Sequence, residues 1–116
     1  MHEYSIAIGI IDTLKDVLKE EFLCLNKIEL TVGSLSGVYF EALHSALELI
    51  LESEGLDNVT INISEEKGLF ICSECQKATE IEPPLFICKE CGSSRGKISG
   101  GKKIIIKAVE VNDGKI

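Results

Sequence analysis

An α+β fold is what this sequence predicts: two helices packed on a small three-stranded sheet, with a cysteine-rich lobe inserted before the last strand. Three observations carry that expectation. Two stretches place apolar residues at three- and four-residue steps, and three shorter ones alternate apolar with polar side chains. All the cysteines but one fall between residues 72 and 91.

The first helix is read from Ser5 to about Leu23. Ile6, Ile10, Ile11, Leu14, Val17, Leu18 and Phe22 form its apolar stripe, with Asp12, Lys15, Asp16, Lys19 and Glu20 opposite. Lys27 to Val32 then alternates as a strand with one wet face, and the turn residues Gly33-Ser34-Leu35-Ser36-Gly37 end it. A second helix from about Tyr39 to Glu54 should bury Leu43, Ala46, Leu47, Ile50 and Leu51, with Gly55 as its C-terminal stop. Asn58 to Ser64 alternates again around Val59, Ile61 and Ile63. Lys103 to Val111 reads as the third strand, with Ile104, Ile106 and Ala108 in phase. Val109 and Val111 fall out of that phase, as at a bulge or in a strand buried on both faces. Two amphipathic helices covering one face of a small sheet make a two-layer core, and the last strand must return to that sheet to be covered. The expected division is therefore residues 1–68 and 100–116 as one domain and 69–99 as the inserted lobe.

The lobe is defined by Cys72-Ser-Glu-Cys75 and Cys88-Lys-Glu-Cys91-Gly92. Each Cys-x-x-Cys folds into a knuckle presenting two thiolates, and two knuckles at this separation suit a tetrahedral Zn(II). Gly92 suits a turn that needs positive φ. Four thiolates fill the tetrahedron and leave no open position, so the zinc is structural, in a zinc-ribbon-like lobe of four cysteine ligands. The rival readings are two disulfides of a secreted domain and a rubredoxin-like iron site, whose ferric form would be coloured. Cys24 is left over. Among Phe22, Leu23 and Leu25 it reads as a buried, inert thiol.

The 116 residues suffice for one domain, or for one small core plus a metal-stapled lobe. A formal net charge of −7, made more negative by a thiolate-bound zinc, argues against a nucleic-acid surface. No apolar run reaches transmembrane length and no basic-then-apolar leader opens the chain, so a cytoplasmic protein with reduced thiols and no membrane partner is expected. His44 has no ligand partner at helical spacing other than Glu48, and it reads as a solvated flank of the second helix. Glu52, Glu54 and Asp57 read as a solvated helix end.

The first three residues carry a different chemistry. The Met1 terminal amine with the amide and imidazole nitrogens of His2 can close a chelate, with Glu3 within reach. A flattened, nitrogen-rich donor set favours Ni(II) or Cu(II). A tripeptide alone is weak evidence, and a histidine at position two is commonly accidental. Its company is more specific. Met1-His2-Glu3-x-Ser5, Gly33-x-Leu35-Ser36-Gly37-Val38, the paired Cys-x-x-Cys and a last strand introduced by Ser99-Gly100 occur in one order. Together they resemble the HypA family of nickel metallochaperones over essentially the whole chain. The resemblance implies transient Ni(II) cargo at Met1, His2 and Glu3, and structural zinc at Cys72, Cys75, Cys88 and Cys91. It also implies delivery with a HypB-type GTPase to a hydrogenase large-subunit precursor during [NiFe] centre maturation, and in some members supply of urease through its accessory proteins. Some members add a carboxylate before the second helix. Here that region reads Val38-Tyr39-Phe40-Glu41, so the extra donor is Glu41 or absent. The histidine that some members carry in the zinc lobe is missing here.

The leading reading is thus a non-enzymatic carrier. Its alternative is a zinc-ribbon protein-interaction adaptor with no nickel role. No serine–histidine–acid set, phosphate loop or open metal site speaks for an enzyme.

Overall fold

The computed structural model describes residues 2–112, the side chain of His2 excepted. Its elements follow the order α1 (His2–Leu18), a 3-10 turn (Lys19–Cys24), β1 (Leu25–Gly33), α2 (Phe40–Ser53), β2 (Thr60–Glu66), β3 (Leu69–Cys72), β4 (Ala78–Glu80), β5 (Gly96–Ser99) and β6 (Ile104–Val111). They gather into two compact units. One holds residues up to Thr31, Val38–Ser64 and the chain from Ile105; the other holds Val32–Gly37 and Glu65–Ile104.

In the first unit α1 packs on α2 beside a sheet of order β2-β1-β6, so the last strand does return to the sheet. The apolar stripe of α2 buries Leu43, Ala46, Leu47, Ile50 and Leu51, the five residues that periodicity selects. Its C-terminus closes as a Schellman motif. Gly55 takes a φ of 86°, its N–H bonds the Glu52 carbonyl at 3.0 Å, and the Leu56 N–H bonds the Leu51 carbonyl at 2.9 Å. Lys15 of α1 pairs with Glu54 just beyond α2, a surface bridge worth at most about 1 kcal/mol.

The first helix departs from expectation at both ends. It starts at His2 rather than Ser5, and it gives way after Leu18 to a 3-10 turn opened by Lys19 at a φ of 55°. Ala7, Ile10, Ile11 and Leu14 are buried, and Phe22 reaches the core from the 3-10 turn. Val17 is 69% exposed, because at about 100° per residue it lies at the edge of the stripe centred on Ala7, Leu14 and Leu18. In β6 the half-buried positions are Ile104 and Ile106, then Val109 and Val111, while Ile105, Lys107, Ala108 and Glu110 are exposed. The phase slips by one residue, as an inserted bulge residue makes it do. Burial on both faces is excluded.

The second unit is built on an antiparallel sheet of order β4-β3-β5, in which Ile71 of β3 stands opposite Ala78 and Lys97. Its core is small: Phe70, Cys72, Ile81 and Cys88 are buried, with Leu35 and Cys75 packed against them. Leu35 arrives from the turn after β1. That turn is held by the Ser34 N–H on the Glu66 carbonyl at 2.9 Å and the Leu35 N–H on the Gly101 carbonyl at 2.6 Å. Bare backbone meets bare backbone there. A Cβ on Gly33 would collide with the Gly101 carbonyl, and one on Gly101 would come within 2.5 Å of the Gly68 Cα.

Candidate metal centre

The two knuckles repeat one hydrogen-bond scheme. The Cys72 N–H donates to the Lys77 carbonyl at 3.0 Å and the Gln76 N–H to the Cys72 carbonyl at 3.0 Å. In the second knuckle the Cys88 N–H donates to the Ser93 carbonyl at 2.9 Å and the Gly92 N–H to the Cys88 carbonyl at 2.8 Å. Each loop turns back through a left-handed residue directly after its second cysteine, Gln76 at a φ of 67° and Gly92 at 79°. Glycine meets that demand without strain, as expected for Gly92, whereas Gln76 adopts it with a Cβ.

These turns bring the four sulfurs together. The ligand atoms of Cys72, Cys75, Cys88 and Cys91 all lie within 4.8 Å of one another, the Sγ atoms of Cys72 and Cys91 at 3.6 Å and of Cys75 and Cys88 at 3.5 Å. A disulfide would need about 2.05 Å. A tetrahedron with metal–sulfur bonds of about 2.3 Å has sulfur–sulfur edges of about 3.8 Å, so the cluster matches a zinc-sized ion held by four thiolates.

Electrostatics divide each knuckle. The Cys75 N–H, 3.4 Å from the Cys72 sulfur and first among its donors, lowers that thiol to about 7, with the Glu74 N–H at 3.3 Å assisting. The Cys91 and Glu90 N–H groups lower Cys88 in the same way. Cys91 is pushed up to about 12 against the lowering pull of the Ser93 N–H, chiefly by its hydrogen bond with the Cys72 thiol. Cys75 is raised likewise, against the Lys77 N–H, by burial and by Cys88. A cation among the four sulfurs replaces this competition for protons with a shared charge. Among the described residues no other group of three or more Cys, His, Asp or Glu has this geometry.

Met1 and the side chain of His2 lie outside the described residues, so the expected nitrogen chelate has no geometry here. Glu3, the third member of that set, is placed. Its Oε2 accepts the Tyr39 N–H at 3.0 Å, which ties the first turn of α1 to the residue preceding α2. Glu41 is exposed on the first turn of α2, and the Nδ1 of His44 stands 3.6 Å from Oε1 of Glu48. Cys24 is half-buried, apart from the sulfur cluster. Sequence reasoning missed the Glu3–Tyr39 bond and the packing of Leu35 beside the cysteines. Both join residues far apart in the chain, and neither has a spacing signature.

The fold and the cysteine cluster define a class: a small two-unit α+β protein with a closed four-thiolate metal site. The particular family follows from comparison. The family model for HypA, the hydrogenase/urease nickel-incorporation metallochaperone, matches residues 1–111, and the chain belongs to that family. The hydrogenase maturation factor HypA of Rhodobacter capsulatus is 34% identical over 112 residues, spanning 96% of this chain and 99% of that one. That of Cupriavidus necator is 32% identical over 114 residues, spanning 97% and 96%. In fold, the chain resembles the solution structure of the Ni metallochaperone HypA from Helicobacter pylori. The TM-score is 0.60 at 20% identity, covering 94% of this chain and 96% of that one. A second solution structure, of a HypA protein, gives 0.65 at 21% identity and covers 97% of both.

Proposed function

We propose that this chain binds Ni(II) through the Met1 amine, the His2 nitrogens and Glu3, and passes it to a hydrogenase large-subunit precursor. A HypB-type GTPase acts with it in the cytoplasm. Zn(II) at Cys72, Cys75, Cys88 and Cys91 is structural and holds the second unit together. Membership of the HypA family over residues 1–111 is the observation that carries this reading. The thiolate cluster supports the zinc assignment through its donor chemistry, and its saturation leaves nickel to a separate site. The Glu3–Tyr39 bond supports the nickel assignment in a further way. It fixes the third residue of the chain, so a chelate formed there loses less freedom on binding.

The test is a nickel titration of untagged protein against two variants, one with a single residue added before Met1 and one carrying His2→Ala. The extension turns the amine into an amide and replaces no residue of the chain, so zinc content and fold should persist. Nickel affinity should fall by orders of magnitude in both variants, because donors linked in one chain reinforce each other. Equal nickel binding with and without the extension refutes the N-terminal site. It would leave the chain as a zinc-ribbon adaptor.

A further inference from the structure

Two depressions of the first unit meet along β2. One, of about 380 Å³, has Phe40, Ile61 and Ile63 as apolar walls, with Glu41 and His44 at its margin. The other is lined by Leu51 and Val59 together with Glu48, Glu52 and Asp57. Ile61 belongs to both, so they form one groove between α2 and β2.

The strand that floors this groove is an edge. Among the described residues the order β2-β1-β6 gives β2 a neighbour on one side only, which leaves a row of N–H and C=O groups to which an extended segment can add. From Val59 to Ile63 this edge runs about 13 Å, and Glu41 to Glu52 spans about 16 Å of α2, the length of a five- or six-residue strand. Ile61 is buried and Ile63 half-buried, whereas Asn62 and Ser64 between and beyond them are exposed, so the strand presents a period-two surface.

The charge of the groove names its occupant. Between Ile28 and Glu66 the sequence has no lysine or arginine, and His44 is its one histidine. Among the described residues the lining of the groove is therefore acidic, without a lysine or arginine. A second copy offering the same edge would set carboxylates against carboxylates.

We propose that the α2–β2 groove docks an extended, lysine- or arginine-bearing segment of a partner protein. The segment adds to the edge of β2, lays two alternate apolar side chains over Ile61 and Ile63, and sets cations from the same strand face at its two ends against Glu41 and against Glu48, Glu52 and Asp57. Backbone pairing supplies the register and charge selects the partner.

The probe is the acetylated, amidated peptide Lys-Lys-Val-Thr-Val-Lys-Lys, whose two valines and two terminal lysines share one strand face, titrated into the 15N-labelled, zinc-loaded full chain. Two control peptides accompany it, one with glutamate for each lysine and one with proline for the central threonine. Shifts should concentrate on Thr60–Glu66 and the solvent face of α2, with slowed amide exchange in β2. Both controls should fail to produce them. The double variant Glu48→Lys, Glu52→Lys alters only exposed positions and should weaken binding at least tenfold, with its fold checked by the dispersion of the remaining resonances. Binding that survives charge reversal, shifts that map to α1, equal binding of the glutamate peptide, or no binding at millimolar peptide would each overturn the proposal. Concentration-dependent shifts of β2 without peptide would assign the groove to a second copy and overturn it as well.

Discussion

Replacing Cys88 by Ser should unfold the second unit while leaving the first intact. The magnitude follows from how little that unit buries. Beyond its cysteines, the core consists of Phe70 and Ile81 with Leu35 packed beside them. At about 1.5–3 kcal/mol per buried side chain these three supply at most about 9 kcal/mol. A structural zinc site contributes an apparent ~10–16 kcal/mol, so zinc held by the four thiolates would outweigh the whole apolar core of the unit. Removing one of four ligands also leaves Cys75, 3.5 Å from Cys88, without its partner. The first unit keeps its own core of α1, α2 and the β2-β1-β6 sheet, and the substitution does not touch it. In a 15N–1H spectrum of the variant, resonances from Glu65–Ile104 should collapse toward random-coil positions. Those of the buried α2 residues Leu43, Leu47 and Leu51 should stay dispersed. An ordered second unit in a zinc-free Cys88→Ser sample would refute the assignment of the metal as its principal stabiliser.

Three further outcomes are expected. Cys24→Ala should keep the full zinc and nickel content measured by elemental analysis, with a modest stability loss, since Cys24 is half-buried and stands apart from the sulfur cluster. Gly92→Ala should weaken zinc retention against a chelator by about 1–2 kcal/mol, because it forces a Cβ onto a φ of 79°, and Gln76→Gly should shift it by less than about 1 kcal/mol. Zinc affinity should fall with acidification: Cys75 and Cys91 are raised in the metal-free cluster, Cys91 to about 12, so uptake at pH 8 must expel their protons. Binding should then strengthen about a hundredfold or more per pH unit in that range, and a pH-independent affinity in weakly buffered titrations would contradict the thiol assignment.

Much of this architecture was legible because its signals are local. The stripe of α2, its stop at Gly55 and the turn at Gly92 each follow from spacings within a few residues, and the structure places them as read. The two Cys-x-x-Cys pairs announced which sulfurs come together, because a knuckle is itself a local turn. The exit of α1 was misjudged for a physical reason. Phe22 continues the helical spacing, yet it reaches the core from a 3-10 turn whose different pitch the periodicity does not register. What stayed illegible joins distant segments: the Glu3 carboxylate on the Tyr39 N–H, and Leu35 seated beside the cysteines. A side chain bonded to main chain far away in the sequence leaves no spacing pattern, unlike a local cap or turn. The edge groove escaped as well, since the absence of cations over a long stretch acquires meaning only when β2 proves to have one neighbour.

The close backbone contacts of Gly33 and Gly101 have a consequence for genetics. A glycine has no conservative replacement, because every missense change adds a side chain, and here the added carbon meets main chain that cannot rotate aside. A saturation scan of this chain should therefore return these two positions as intolerant, although Gly101 lies outside any helix or strand, where tolerance is the rule. They would rank beside the cysteines in such a map and invite a reading as ligands or partner contacts. Their intolerance would be that of a crossing with no clearance, and proline or alanine would fail there as surely as tryptophan.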